Sequence, residues 1–304
     1  MSALGSLKRA PVSPFLIQQH ADERRSPAKL EISHVKRLLG PVTSNNSHSG
    51  GKTAAEELAL AALIHSKLMS INLPSASYAR LQAKTSPCSA IGGDFFDAIA
   101  LGDSICAVVA DVSGKGVPAA IVAAMLQGII HAQMLADQPL QAIAHMVNQF
   151  LCSRATGKYA TMVLLKLWAN GVAEYLNCGH VLPVLINGAR TRRLDRSNVV
   201  VGLIPTAEYY SDGCELLRGD RILIFTDGIT ETENTRGEQF GDLALGSFAH
   251  LDDVDGIFEY VAAFQGDSER QDDWTLLELL YQGCESLSAS SSRSEFDHVA
   301  ARCS

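Results

Sequence analysis

The sequence predicts an α+β protein of antiparallel layers, and its turns are what predict it. Asn170-Gly171 and Asn187-Gly188 each stand between two apolar runs, and such pairs favour tight hairpin turns. Gly102-Asp103 links two further runs in the same way. Hairpins dominate the pattern, so antiparallel sheets with helices in separate layers are expected rather than a parallel doubly wound sheet.

The elements follow in order. Residues 1 to about 50 are rich in Ser, Pro, Asn and charge and run into SNNSHSGG, a composition expected to be disordered, apart from a short helix at 33–39. The GGKT at Gly50 to Thr53 is a decoy. A phosphate-binding loop needs a Gly where Asn46 stands, and an apolar strand before it. A helix is expected over 53–71, capped by Thr53 with Glu56 three residues on. Leu58, Ala61, Ala62, Leu68 and Met69 form one apolar stripe, and Leu60, Leu63 and Ile64 a second. Two stripes call for two surfaces. Strands are expected at 78–83, 94–100, 105–111, 161–168, 172–177, 181–186, 221–226 and 274–281. Helices are expected at 118–136, 139–154 and about 254–265; Pro118 suits a first helical turn. The domain organisation is therefore an arm (1–52), a regulatory or linker helix (53–74), one domain (75–282) and a disordered tail (283–304).

Composition excludes several classes. Hydrophobic residues make up 47% of 304, enough for a sizeable core, and the formal net charge is −8. No basic block exceeds two residues, which argues against nucleic acid as partner. Seven scattered cysteines without a CxxC argue against a disulfide framework and fit a reducing compartment. No signal peptide is visible. The most apolar helix, from Val117, is interrupted by Gln127, Gly128 and His131, short of a membrane span. A cytoplasmic protein without membrane contact is expected.

Four acidic patches carry the chemistry: GGDFFD (Gly92 to Asp97), ADVSGKG (Ala110 to Gly116), FTDGITE (Phe225 to Glu231) and DDWTLL (Asp272 to Leu277). In three of them an Asp begins or ends an apolar run that reads as a strand. A fold can thus gather carboxylates at one sheet edge, where they repel unless a cation intervenes. Carboxylates without His or Cys companions are hard oxygen ligands suited to Mg²⁺ or Mn²⁺. Taken singly, Asp111 also reads as a strand-to-helix capping residue and Asp272-Asp273 as a simple turn. Glu231 and Glu233 read as solvated helix residues, and Phe95 and Phe96 as core.

The ordered set GGDFFD, ADVSGKG, LNCGH, GLIP, GDRILIFTDGITET and DDWTLL resembles the metal-dependent, protein phosphatase 2C-like (PPM) serine/threonine phosphatases, in their bacterial SpoIIE/RsbU-type branch. The resemblance covers about residues 78–281. It implies a four-layer α-β-β-α sandwich, two antiparallel sheets flanked by helices, with two Mn²⁺ or Mg²⁺ ions at one end. Carried over by position, Asp111 resembles the carboxylate bridging both ions, assisted by the Val112 carbonyl. Asp94 resembles the acid of the first patch, and Asp227 and Asp272 the ligands of the second ion. Asp273 is a neighbour or water anchor, and a role for Asp97 stays open.

The resemblance implies single-step hydrolysis without a covalent phosphoenzyme, so neither Ser113 nor a cysteine is a nucleophile candidate. The implied substrate is a phosphoserine or phosphothreonine on a STAS-domain anti-sigma-factor antagonist in a partner-switching pathway. A non-catalytic binding module is the alternative, which loss of a metal acid would signal. No clear phosphate-binding Arg is visible; Lys115 is either a helper or a solvated loop residue. His180 reads as structural or as a support to the metal ligands. The helix over 53–71 is the expected contact for an activator or a twin subunit, through Leu60 and Leu63.

Overall fold

The computed structural model describes residues 53–283. The expected helix at 33–39, the Gly-Gly-Lys of the decoy loop and the tail from 284 lie outside them. Helix α1 (Ala54–Met69) is followed by β1 (Ala79–Ser86), β2 (Phe95–Leu101), β3 (Ser104–Val112), α2 (Val117–Leu135), α3 (Leu140–Arg154), β4 (Ala160–Trp168) and β5 (Val172–Cys178). Then come β6 (Val184–Asn187), β7 (Arg190–Arg193), β8 (Asp212–Glu215), β9 (Arg221–Phe225), the one-turn helix α4 (Asp227–Thr230), a 3₁₀ segment (Asp242–His250), α5 (Val254–Gln265) and β10 (Trp274–Tyr281).

The strands form two five-stranded sheets, ordered β1-β10-β9-β6-β7 and β2-β3-β4-β5-β8. Every pair between named strands is antiparallel. All eight expected strands are present. β7 and β8, four residues each, escaped notice. β7 reads Arg-Thr-Arg-Arg and is exposed along most of its length, so it carries no apolar signal; charged, short edge strands resist pairing with other chains. The strand expected from Val181 begins only at Val184, because Pro183 has no N–H to give a ladder.

Three apolar clusters fill the three spaces of a four-layer sandwich. Alternation along each strand sends successive side chains to opposite faces. Phe96, Ala98, Ile105, Ala107, Val109, Ile222, Ile224, Leu277 and Leu279 meet between the sheets. Phe95, Val108, Ala110 and Val112 face outward, where Ala119, Ala123, Leu126 and Ile130 of α2 and Ile143 and Val147 of α3 cover them. On the far side Leu223, Phe225, Trp274 and Leu276 lie under Ile257, Phe258 and Val261 of α5.

Helix α2 runs unbroken through Gln127 and Gly128, and by length and composition alone it is apolar enough to cross a membrane. Its Ala119, Ala123, Leu126, Ile130 and Met134 are instead buried on the sheet, the position of a core helix. Helix α1 has the expected capping box between Thr53 and Glu56 and packs against α2. Its stripes fall differently from expectation: Leu58, Ile64 and Leu68 are the exposed ones, whereas Leu60 and Leu63 are half-buried.

Candidate metal centre

The same alternation delivers the acids. Asp111 lies two residues beyond Val109 and shares its inward face. Phe95 pairs with Ala110, so Asp94 falls opposite Asp111 one step further along. From the other sheet, Thr226 follows the inward Ile224, and Thr275 and Asp273 precede the inward Leu277. Asp227 opens α4 directly after Thr226. The acids of all four patches thus converge at one end of the sandwich, from two sheets whose motifs are up to 180 residues apart in sequence.

Electrostatics reports the crowding. Burial, then the neighbouring Asp111, push the Asp94 carboxyl well above its ordinary range. Burial, Asp227 and Asp272 push Asp111 up to about 7, while a side-chain hydrogen bond with Asp94 opposes the shift. Asp227 is raised by burial, Glu231 and Asp272. Desolvation and like charges disfavour ionisation unless a cation is present. Oxygen-only donors gathered at one end of the sandwich suit hard divalent ions such as Mg²⁺ or Mn²⁺.

Asp94, 8% exposed, is held by a residue that sequence reasoning missed. Thr226 Oγ1 donates to Asp94 Oδ2 at 2.7 Å and accepts from the Thr275 N–H at 3.1 Å. Thr275 in turn bonds Thr85 through the two hydroxyls at 2.8 Å. The signal was present: a Thr in an otherwise apolar run just before Asp227.

Asp273 is an anchor of the loop rather than a free ligand. Its Oδ1 accepts from the Cys88 N–H at 2.8 Å and its Oδ2 from the Gly93 N–H at 3.1 Å. That clasp explains two glycines. A Cβ at Gly92 would lie 2.1 Å from Asp273 Oδ2, and one at Gly228 would lie 2.0 Å from the Asp273 carbonyl oxygen. Cys88 Sγ and the Asp272 and Asp273 oxygens lie within 4.8 Å of one another. This group suits an ion less well than the one around Asp111. Both Asp273 oxygens are engaged, and burial and the acids push the Cys88 thiol up, away from the thiolate a metal needs.

Asp97 is not at the centre. It shares the outward face with Phe95 and Ile99, where its Oδ2 meets His131 Nδ1 of α2 at 2.8 Å. Lys115 reaches the rim, with Nζ 3.0 Å from Asp272 Oδ2 and a second bond to the Gln271 carbonyl oxygen. Ser113 Oγ accepts from the Tyr159 N–H at 3.1 Å, in keeping with a turn residue. His180 is buried, its protonation pushed down to about 4 by desolvation. Its Nδ1 meets Thr161 Oγ1 at 2.8 Å, and Thr161 is the cross-strand partner of Asp111. It supports the strand beside Asp111.

A family model described as Stage II sporulation protein E (SpoIIE) matches residues 102–281. The chain belongs to the SpoIIE family. It is 26% identical over 193 residues to phosphoserine phosphatase RsbU of Bacillus subtilis, covering 60% of this chain and 55% of that one; it thus spans about half the length of that relative. The RsbU and RsbW domains of Rv1364c from Mycobacterium tuberculosis superpose with a TM-score of 0.60 at 29% identity, covering 69% of this chain and 62% of that one. The SiaA PP2C domain of Pseudomonas aeruginosa superposes with a TM-score of 0.64 at 20% identity, covering 75% and 96%. This SpoIIE-family chain therefore has the PP2C-type α-β-β-α sandwich.

Proposed function

We propose that this SpoIIE-family protein is a metal-dependent serine/threonine phosphatase. It hydrolyses phosphoserine or phosphothreonine, on a STAS-domain antagonist of an anti-sigma factor in a partner-switching pathway. One observation carries the reading: Asp94, Asp111 and Asp227 crowd at one end of the sandwich beside Asp272, and these three have raised proton affinities that a cation would relieve. The resemblance to a phosphoserine phosphatase supports the substrate class. A non-catalytic module would be expected to have lost one of these acids, and each is present.

Asp111, with the Val112 carbonyl and Asp94, would hold one ion; Asp111, Asp227 and Asp272 would hold the second. When bound, two Mn²⁺ or Mg²⁺ ions supply Lewis acidity, lowering the pKa of water and offsetting phosphoryl charge. The chain's own residues do the positioning. Thr226 fixes the Asp94 carboxylate, Asp273 clasps the Gly92-Gly93 loop, and Asp227 stands at the start of a helical turn. Lys115, 55% exposed at the rim and paired with Asp272, would turn to an incoming phosphate if Asp272 were taken up by an ion.

The test is hydrolysis of a phosphorylated STAS protein with and without Mn²⁺. Release of phosphate that survives exhaustive chelation would sink the metal reading. Release from p-nitrophenyl phosphate but not from the STAS phosphoprotein would sink the substrate reading alone.

A further inference from the structure

β5 ends at Cys178, and residues 198–202 return to continue its line beside β4. Asn198 bridges Cys178, and Val201 exchanges two backbone hydrogen bonds of 3.0 Å with Ala160. Ala160 is in turn the cross-strand partner of Val112. Val201 therefore lies two strand spacings, about 10 Å, from Val112 at the metal centre. The loop that follows, Gly202-Leu203-Ile204-Pro205, is pinned from below. Asn148 of α3 is fully buried. Its Oδ1 accepts from the Gly202 N–H at 2.7 Å, and its amide donates to the Ile204 carbonyl oxygen at 2.9 Å. Gly202 has a φ of +96°, and a Cβ there would lie 2.9 Å from Leu151. So firmly held a loop nonetheless turns two large apolar side chains outward: Leu203 is 58% and Ile204 47% exposed. Ile204 lines a shallow hollow with Val199 and Tyr210, which are exposed as well. Lys158 stands between this surface and the metal centre. Its ammonium donates to the Ser113 carbonyl oxygen at 2.7 Å, a neutral acceptor that leaves the charge uncancelled.

We propose that the Gly202–Pro205 loop and the hollow beside it dock the protein substrate: a folded phosphoprotein that presents an apolar patch about 10 Å from its phosphorylated residue. The inference rests on the phosphatase reading above and adds to it the kind of partner and the surface that receives it. Three features select that occupant. The first is place. A protein whose phosphoryl group reaches Asp111 must lie across the surrounding rim, and strand pairing puts this loop there; a second copy of the chain seated on it would obstruct the same mouth. The second is preorganisation. Clustered exposed apolar side chains mark interaction surfaces, and a loop already fixed by Asn148 loses little freedom when a partner binds. A shallow hollow suits a protein surface better than a small molecule, which needs enclosure. The third is charge. Lys158 lies where an acidic or phosphorylated segment would pass from the loop to the centre, and a complementary charge there orients the approach.

The test separates docking from chemistry. Binding of a phosphorylated STAS protein to the full chain is measured by calorimetry in EDTA. The wild type is expected to bind saturably, and Leu203→Ser with Ile204→Ser to bind at least about tenfold more weakly, the scale of the side chains that dominate an interface. Lys158→Gln should weaken binding and lessen its dependence on salt. With Mn²⁺, the double variant should lose at least about tenfold of its preference, as a ratio of kcat/KM values, for the phosphoprotein over p-nitrophenyl phosphate, which is too small to reach the loop. If the double variant melts early, Tyr210→Ser, on the other wall of the hollow, carries the same comparison. Equal binding by wild type and variant, an unchanged preference, or no binding to the wild type overturns the proposal. So does a wild-type dimer that the double variant dissociates in sedimentation, because the loop then seats a second copy. Failure of the phosphatase reading looks different: neither substrate is hydrolysed with Mn²⁺, while binding in EDTA still depends on Leu203 and Ile204.

Discussion

Thr226 and Asp94 stand at the ends of strands in different sheets, and the hydroxyl of the first donates a 2.7 Å hydrogen bond to the carboxylate of the second. The bond crosses the mouth of the sandwich and sets which Asp94 oxygen faces the centre. Groups that orient metal ligands typically account for about 10–100-fold in affinity. Thr226→Val should therefore weaken Mn²⁺ binding by about that factor in calorimetry, whereas Thr226→Ser, which keeps the hydroxyl, should bind as the wild type does.

Asp111 faces Asp94, Asp227 and Asp272 together, so it is the acid whose removal should do most. Asp111→Asn is expected to lower p-nitrophenyl phosphate hydrolysis by at least ~10³-fold, about 4 kcal/mol of barrier. Circular dichroism should be unchanged. Activity within tenfold of the wild type would rule out a bridging role.

The raised Asp111 proton affinity has a stability consequence with a definite sign. Its carboxyl titrates at about 7 in the fold against 3.8 in the unfolded reference. Between those values the folded chain keeps a proton that the unfolded chain has released. Stability therefore falls as pH rises through that window. In EDTA the melting temperature should drop from pH 4.5 to pH 7.5, Mn²⁺ should reverse most of the drop, and Asp111→Asn should flatten it. A melting temperature that rises over this window in EDTA would contradict the electrostatic account.

Gly92 and Asp273 form a tight pair, since a Cβ at 92 would lie 2.1 Å from Asp273 Oδ2. Gly92→Ala should destabilise the fold by about 1–3 kcal/mol, the usual range for overpacking. Adding Asp273→Ala removes the clashing oxygen, so the two losses should be less than additive in a denaturation cycle. Strict additivity would show that the two residues do not press on each other.

Leu58, Ile64 and Leu68 of α1 are 43%, 49% and 58% exposed, so any activator or second copy that docks on this helix is expected to meet them. Substituting all three by Ser should lower the sedimenting mass of any dimer, or abolish stimulation by an activator, without changing the melting temperature. Leu60→Ser with Leu63→Ser should instead lower the melting temperature, because these two are half-buried in the fold. The opposite pattern would return the contact to Leu60 and Leu63.

Period-two alternation, Asn-Gly turns and acids at strand ends are local features, so the eight expected strands, the main helices and the acids Asp94, Asp111, Asp227 and Asp272 were legible in the sequence by itself. What sequence could not reveal depends on contacts between distant segments. β7 and β8 are too short and polar to show a period, and they are strands only because longer neighbours pair with them. Asp97 and Asp94 look alike in GGDFFD, yet three residues along a strand reverse the face, so one meets His131 of α2 and the other meets Asp111. Asp272 and Asp273 are adjacent in sequence, and only the close approach of the Gly92 loop makes the second an anchor for backbone N–H groups. Thr226 likewise reads as an ordinary strand residue until the two sheets are stacked. Side-chain direction and the partner across the sandwich are tertiary quantities, because each is decided by which strands pack together.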